Sequence, residues 1–178
     1  MKTVVKSMKE ETRKVTMKGN PLTLWGKELK VGDKAPDFEV LANDLTPVKF
    51  SSFAGKVCVI LSVPSLDTSV CDRMSRRFDQ EAAALGTNAV VMTISMDLPF
   101  AQKRWCGAAE AGNIKVFSDH RDANFGKAYG VLINELRLLA RTVFVVDKKG
   151  IIRYIQIVRE ISSEPDYQAA LDAVVKLI

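Results

Sequence analysis

A chain of 178 residues with 47% hydrophobic side chains can bury one substantial core, which sets the expectation of one domain with a small appendage. Its net charge of +5 is local: residues 1–30 hold eight basic and three acidic side chains, and Lys2, Lys6, Lys9, Arg13 and Lys14, mixed with Glu10 and Glu11 and without interleaved aromatics, read as a solvated tail over residues 1–14 rather than a nucleic-acid contact. No run approaches the ~18 apolar residues of a membrane span, and MKTVVKSMKEETRK lacks the apolar stretch of a signal peptide, so a cytoplasmic protein without a membrane partner is expected.

In chain order, VTMKGNPLTLWG over residues 15–26 places β-prone stretches on either side of Gly19, Asn20 and Pro21, a hairpin signature that is taken as the appendage. Short strands are expected at Phe38 to Leu41 and Val48 to Phe50, and the apolar, β-branched run Val57 to Val63 reads as a strand covered on both faces and ended by Pro64. Val70, Met74, Phe78 and Leu85 then form a helical stripe, predicting a helix from about 69 to 85 that stops at Gly86. Ala89 to Ser95 is a second buried strand, followed by a helix that Asp97 can cap and Pro99 can open.

A strand around Lys115 to Phe117, a helix around Asn124 to Tyr129 and a strand at Thr142 to Val146 follow, and Asp147-Lys148-Lys149-Gly150 turns the chain into Ile151 to Val158. A last helix opens near Ser163, Pro165 and Asp166, close to a capping box, with Tyr167, Ala170, Leu171, Val174 and Ile178 on one face. The order is an α/β plan with a central mixed sheet flanked by helices, and a thioredoxin-like core fits it.

Cys58, Cys71 and Cys106 are too widely spaced for a zinc knuckle, and His120 alone cannot complete a two-histidine site, so no metal is expected. Cys71 falls in the first turn of a helix, where free N–H groups and the helix dipole favour the thiolate, the nucleophilic form of sulfur. The bland alternative is an inert core cysteine. Asp72, next in the chain, adds a charge that opposes the thiolate unless its side chain points to solvent. Thr68 stands three residues before Cys71, as an N-cap would, and its hydroxyl can both accept from the backbone and donate to a further acceptor, or serve only as the cap. Arg141 interrupts the apolar stretch from Leu138 to Val146 and needs an anion nearby, either a thiolate or a structural carboxylate. Cys106 follows Trp105 on a helix, Cys58 lies inside an apolar strand and reads as packing, and His120 reads as an exposed loop residue.

The string Pro64-Ser65-Leu66-Asp67-Thr68-Ser69-Val70-Cys71, with Arg76-Arg77-Phe78 after it, resembles the thiol peroxidase branch of the peroxiredoxins, the atypical two-cysteine type. Gly19-Asn20-Pro21, Asp97-Leu98-Pro99-Phe100-Ala101-Gln102 leading to Cys106-Gly107, Ala140-Arg141 and Glu164-Pro165-Asp166-Tyr167 extend the resemblance over residues 15–178, the expected peroxidase domain. It implies a peroxidatic Cys71, a resolving Cys106, a Thr68 that orients thiolate and peroxide, an Arg141 beside the sulfur and a Pro64 that shields the pocket. Hydrogen peroxide and organic hydroperoxides would be the substrates, without a cofactor. A Cys71–Cys106 disulfide would form in each cycle and thioredoxin or a similar dithiol would reduce it, in a homodimer. The alternative class is a redox-switched binding or chaperone protein that uses the same disulfide.

Overall fold

The computed structural model describes residues 13–178, so the expected tail lies outside the described residues except for its last two positions. Arg13 and Lys14 are not tail: they open β1 (Arg13–Met17), which pairs antiparallel with β2 (Asn20–Trp25) across Lys18 and Gly19, both at positive φ. Two such residues form the tight turn that matches strand twist, so Asn20 and Pro21 belong to the second strand rather than to the turn.

The chain continues as β3 (Glu39–Leu41), β4 (Pro47–Lys49), β5 (Val57–Ser62), α1 (Ser69–Leu85), β6 (Ala89–Ser95), α2 (Pro99–Ala109), β7 (Lys115–Ser118), α3 (Asn124–Ala128), β8 (Leu132–Ile133), β9 (Leu138–Leu139), β10 (Thr142–Val146), β11 (Ile152–Ile157) and α4 (Tyr167–Val175). The central sheet has seven strands in the order β11-β10-β5-β6-β7-β3-β4, with β5, β6 and β7 parallel and the other pairings antiparallel. This is the expected mixed sheet flanked by helices. The N-terminal hairpin, however, is not a free appendage: β2 pairs with β8 and β8 with β9, making a four-stranded second sheet.

Successive side chains of a strand face opposite sides, and β5, buried along its whole length, shows what that does to the cysteines. Val57, Val59 and Leu61 join the core on the side of α1 and α4, with Met74, Phe78, Val143, Val145, Ala170 and Val174. Cys58 and Ile60 point the other way, into the core with Phe125, Tyr129, Leu132 and Leu139 beneath the second sheet. Cys71 belongs to the first of these cores and Cys58 to the second, so the sheet separates them.

Three helix starts decide how the loops above this sheet are held. α1 begins and ends where its pattern predicts, at Gly86 with φ 67°, but its buried stripe is Cys71, Met74, Ser75 and Phe78, with Val70 half-buried at the margin. α2 has Pro99 in its first turn as expected, yet Leu98 rather than Asp97 occupies the cap position. Asp97 instead accepts hydrogen bonds from Ser65 Oγ at 2.7 Å, Leu66 N at 2.8 Å and Ser95 Oγ at 2.7 Å, which fastens the loop before α1 to the end of β6. At α4 the cap is Asp166, which accepts from Ala169 N at 3.0 Å, while Ile178 lies exposed beyond the helix.

Candidate active site

The end of β5 runs through Val63 and Pro64, both buried, into the loop held by Asp97, and this delivers Cys71 to the first turn of α1 with no exposed surface. Thr68 takes the N-cap position by backbone geometry, but its side chain makes no cap. Its Oγ1 lies 2.7 Å from Cys71 Sγ and 2.9 Å from the Ser65 carbonyl. One hydroxyl proton cannot serve both partners at once. It points to the carbonyl when the thiol donates to Oγ1, and to the sulfur when the sulfur is a thiolate. Thr68 is exposed, so the same hydroxyl stands between the buried sulfur and solvent.

Arg141 meets Cys71 from the neighbouring strand. It sits between Ala140 and β10, a position fixed by Ser62, whose hydroxyl donates to the Ala140 carbonyl at 2.7 Å and contacts the Thr142 hydroxyl. The guanidinium is 2% exposed and donates from Nη2 to Cys71 Sγ at 3.3 Å, from Nε to the Ile161 carbonyl at 3.0 Å and from Nη1 towards Met74 Sδ at 3.6 Å. Among the described residues no carboxylate lies within ion-pair distance of it. A buried cation with only neutral acceptors is costly, and of the three groups that Arg141 donates to, the one that can become an anion is the Cys71 sulfur. Arg141 and Thr68 thus aim two donors at one sulfur, an arrangement suited to offset charge that develops on an oxygen leaving it.

Asp72 is half-buried rather than turned wholly to solvent. It accepts from Arg76 Nε at 2.9 and 3.0 Å and from Trp105 Nε1 at 2.8 Å, so its negative charge is countered away from the sulfur.

Cys106 is brought to the same core but is not bonded to Cys71. It is half-buried on α2, and its Sγ receives a weak bond from Asn43 Nδ2 at 3.7 Å across the turn between β3 and β4. Burial pushes its thiol pKa up, the bond from Asn43 opposes that rise, and the nearby charge of Asp79 adds to it. All three cysteines are free thiols. Cys58, pushed up to about 11 by burial, packs under the far face of the sheet. His120 is half-buried rather than exposed and is not among the groups that contact either reactive sulfur.

Pro64, Thr68, Cys71 and Arg141 therefore come together, and Cys106 stands on the adjacent helix. Asn43, Trp105 and the Ile161 carbonyl are additions that sequence reasoning missed: each contacts its partner from 20 or more residues away, and no local pattern marks it. Among the described residues no group of His, Cys, Asp and Glu could hold a metal, and no helix is long and apolar enough to cross a membrane.

Comparison with known proteins gives the family of the chain. A family model described as Redoxin matches residues 30–171. A Halalkalibacterium halodurans protein named thiol peroxidase is 56% identical over 159 residues, 89% of this chain and 95% of that protein. A Bacillus subtilis thiol peroxidase is 51% identical, with 92% and 98% covered. Among solved structures, a peroxiredoxin-like protein from Aquifex aeolicus is similar with a TM-score of 0.88 and 45% identity, covering 93% of this chain and 98% of that one.

Proposed function

Since the chain belongs to the thiol peroxidase branch of the redoxin family, we propose that it is a thiol-dependent peroxidase in which Cys71 reduces hydroperoxides and Cys106 closes the disulfide. The observation that carries this reading is the Cys71 sulfur, without exposed surface, facing Thr68 Oγ1 at 2.7 Å and Arg141 Nη2 at 3.3 Å.

The Cys71 thiolate attacks the distal peroxide oxygen, the O–O bond breaks, and the alkoxide or hydroxide leaves and takes a proton, so the sulfur is oxidised to a sulfenic acid. Arg141 and Thr68 hold the sulfur and offset the charge growing on the leaving oxygen, while Pro64, buried at the end of β5, keeps water from the pocket. Cys106 then condenses with the sulfenic acid, forming the S–S bond and releasing water, and an external dithiol such as thioredoxin returns both thiols by exchange. Sulfur carries the electrons at each step, and hydrogen peroxide or organic hydroperoxides are the substrates. The reading treats residues 15–178 as one peroxidase domain, working as a homodimer in the cytoplasm.

The test is turnover. Catalytic amounts of protein with a thioredoxin system should consume many equivalents of hydroperoxide, and the oxidised form should contain a Cys71–Cys106 link with Cys58 free. A single stoichiometric oxidation would instead support a redox-switched binding protein.

A further inference from the structure

We propose that Asp72 is a positioning residue for disulfide formation, and that its hydrogen bond to Trp105 sets how fast Cys106 reaches Cys71. The inference rests on the peroxidase reading and deepens it.

The residue after Cys71 is bonded to the residue before Cys106. Trp105 Nε1 donates to Asp72 Oδ1 at 2.8 Å, and the indole is 8% exposed. Residues 72, 76 and 79 of α1 share one helical face. Asp72 holds Arg76, whose Nη1 donates to the Ala109 carbonyl at 3.2 Å. Asp79 accepts from the backbone of Asn113 at 2.8 Å and of Ile114 at 3.0 Å. These bonds tie α1 along its face to α2 and the loop after it, and Asp72 is the tie that lies in the first turn of α1.

The two sulfurs are engaged with partners outside this line of bonds. Cys71 turns to Thr68 and Arg141, and Cys106 turns to Asn43. A disulfide needs an S–S bond of roughly 2.05 Å and Cβ atoms about 3.8 Å apart, so the segments carrying the two thiols must rotate towards each other. The residues beside the sulfurs rotate with them, and the Asp72–Trp105 bond is in the way. Arg76 and Asp79 sit further along α1 and can keep the helices in register while the first turn opens. A hydrogen bond to a charged acceptor is among the stronger ones, so its loss has a measurable kinetic effect.

The chemical step is unchanged: Cys71–SOH and Cys106–SH give the disulfide and water, with no other reactant. What the bond controls is access, by holding the sulfenic acid state closed.

The experiment separates the two steps by rapid mixing with hydrogen peroxide, following peroxide loss and, in acid-quenched and alkylated samples, the appearance of the disulfide. Trp105→Phe keeps an aromatic ring in the core but removes the N–H donor. It should form the disulfide on the order of 10-fold faster, with the peroxide step unchanged. Asp72→Asn keeps an acceptor without the charge and should give a smaller acceleration, and the double variant should be no faster than Trp105→Phe, because both variants act on one bond that Trp105→Phe already removes. A disulfide rate in both single variants equal to the parent's, or a slowing of both steps together, would overturn the proposal. Should the parent itself form no Cys71–Cys106 disulfide, the peroxidase reading fails and this inference with it.

Discussion

The neighbourhoods of Cys71 and Cys106 differ more than their places on adjacent helices would suggest. Cys71 has no exposed surface, two strong donors within 3.3 Å, and supports from the loop before α1, from β10 and from the Ile161 carbonyl through Arg141. Cys106 is half-buried, has one weak partner at 3.7 Å, and rides on a helix that ends at Glu110 with φ 53°, a left-handed conformation that costs a non-glycine residue roughly 1–2 kcal/mol. The difference teaches a division of labour. On the proposed reading, the thiol that meets peroxide is fixed in advance, because orienting donors act only if they are already in place. On the same reading, the thiol that resolves is held by an element that can be given up locally.

The comparison breaks first if the wrong sulfur has been chosen. Cys71→Ser should abolish hydroperoxide turnover, whereas Cys58→Ser, on the other face of the sheet, should leave it nearly intact. Equal losses in a steady-state assay would mean that the donors around Cys71 do not mark the nucleophile.

Next in size is Arg141. Arg141→Ala removes a donor from the sulfur and from the leaving oxygen and should slow the peroxide step about 100-fold, the scale for loss of one donor to a developing oxyanion. Stopped-flow traces at neutral pH that match the parent's would show that the guanidinium serves packing alone.

A smaller effect belongs to Cys106. Its thiol titrates above the ordinary range because it is buried, so near neutral pH it is almost wholly protonated and its thiolate fraction grows about tenfold per pH unit. Disulfide formation should therefore accelerate as pH rises from 7 to 8 (roughly tenfold if thiolate attack limits it). Asn43→Leu removes the bond that opposes the upward shift, and should lower the rate a few-fold at each pH without touching the peroxide step. A flat profile, or an Asn43→Leu rate equal to the parent's, would assign the limit to chain motion instead.

Much of this contrast was legible in the sequence. The stripe Met74 and Phe78 with Gly86 located α1, and Ala89 to Ser95 located β6 residue for residue, because long periodic segments carry their own signal. Arg141 announced itself as a charge in an apolar run, and the fold supplied the partner. Other features were hidden for physical reasons. β8 and β9 are two residues each, too short to show alternation, and they are held by pairing, β8 with β2 and β9 with β8. Thr68 and Asp97 both look like caps, yet Thr68 spends its hydroxyl on the Cys71 sulfur three residues on, and Asp97 spends its carboxylate on a tertiary contact with the Ser65–Leu66 loop. Local propensity cannot rank a nearby backbone N–H against a partner that only folding brings close.

The account stands on the claim that the two thiols meet by local opening rather than in the closed structure. Amide hydrogen exchange of reduced and disulfide-bonded protein, resolved over Val70–Met74 and Phe100–Ala109, tests it directly. The account predicts faster exchange of both segments in the oxidised form, with the central strands β5 and β6 equally protected in both states. Equal protection of the two helical segments in both redox states would contradict it.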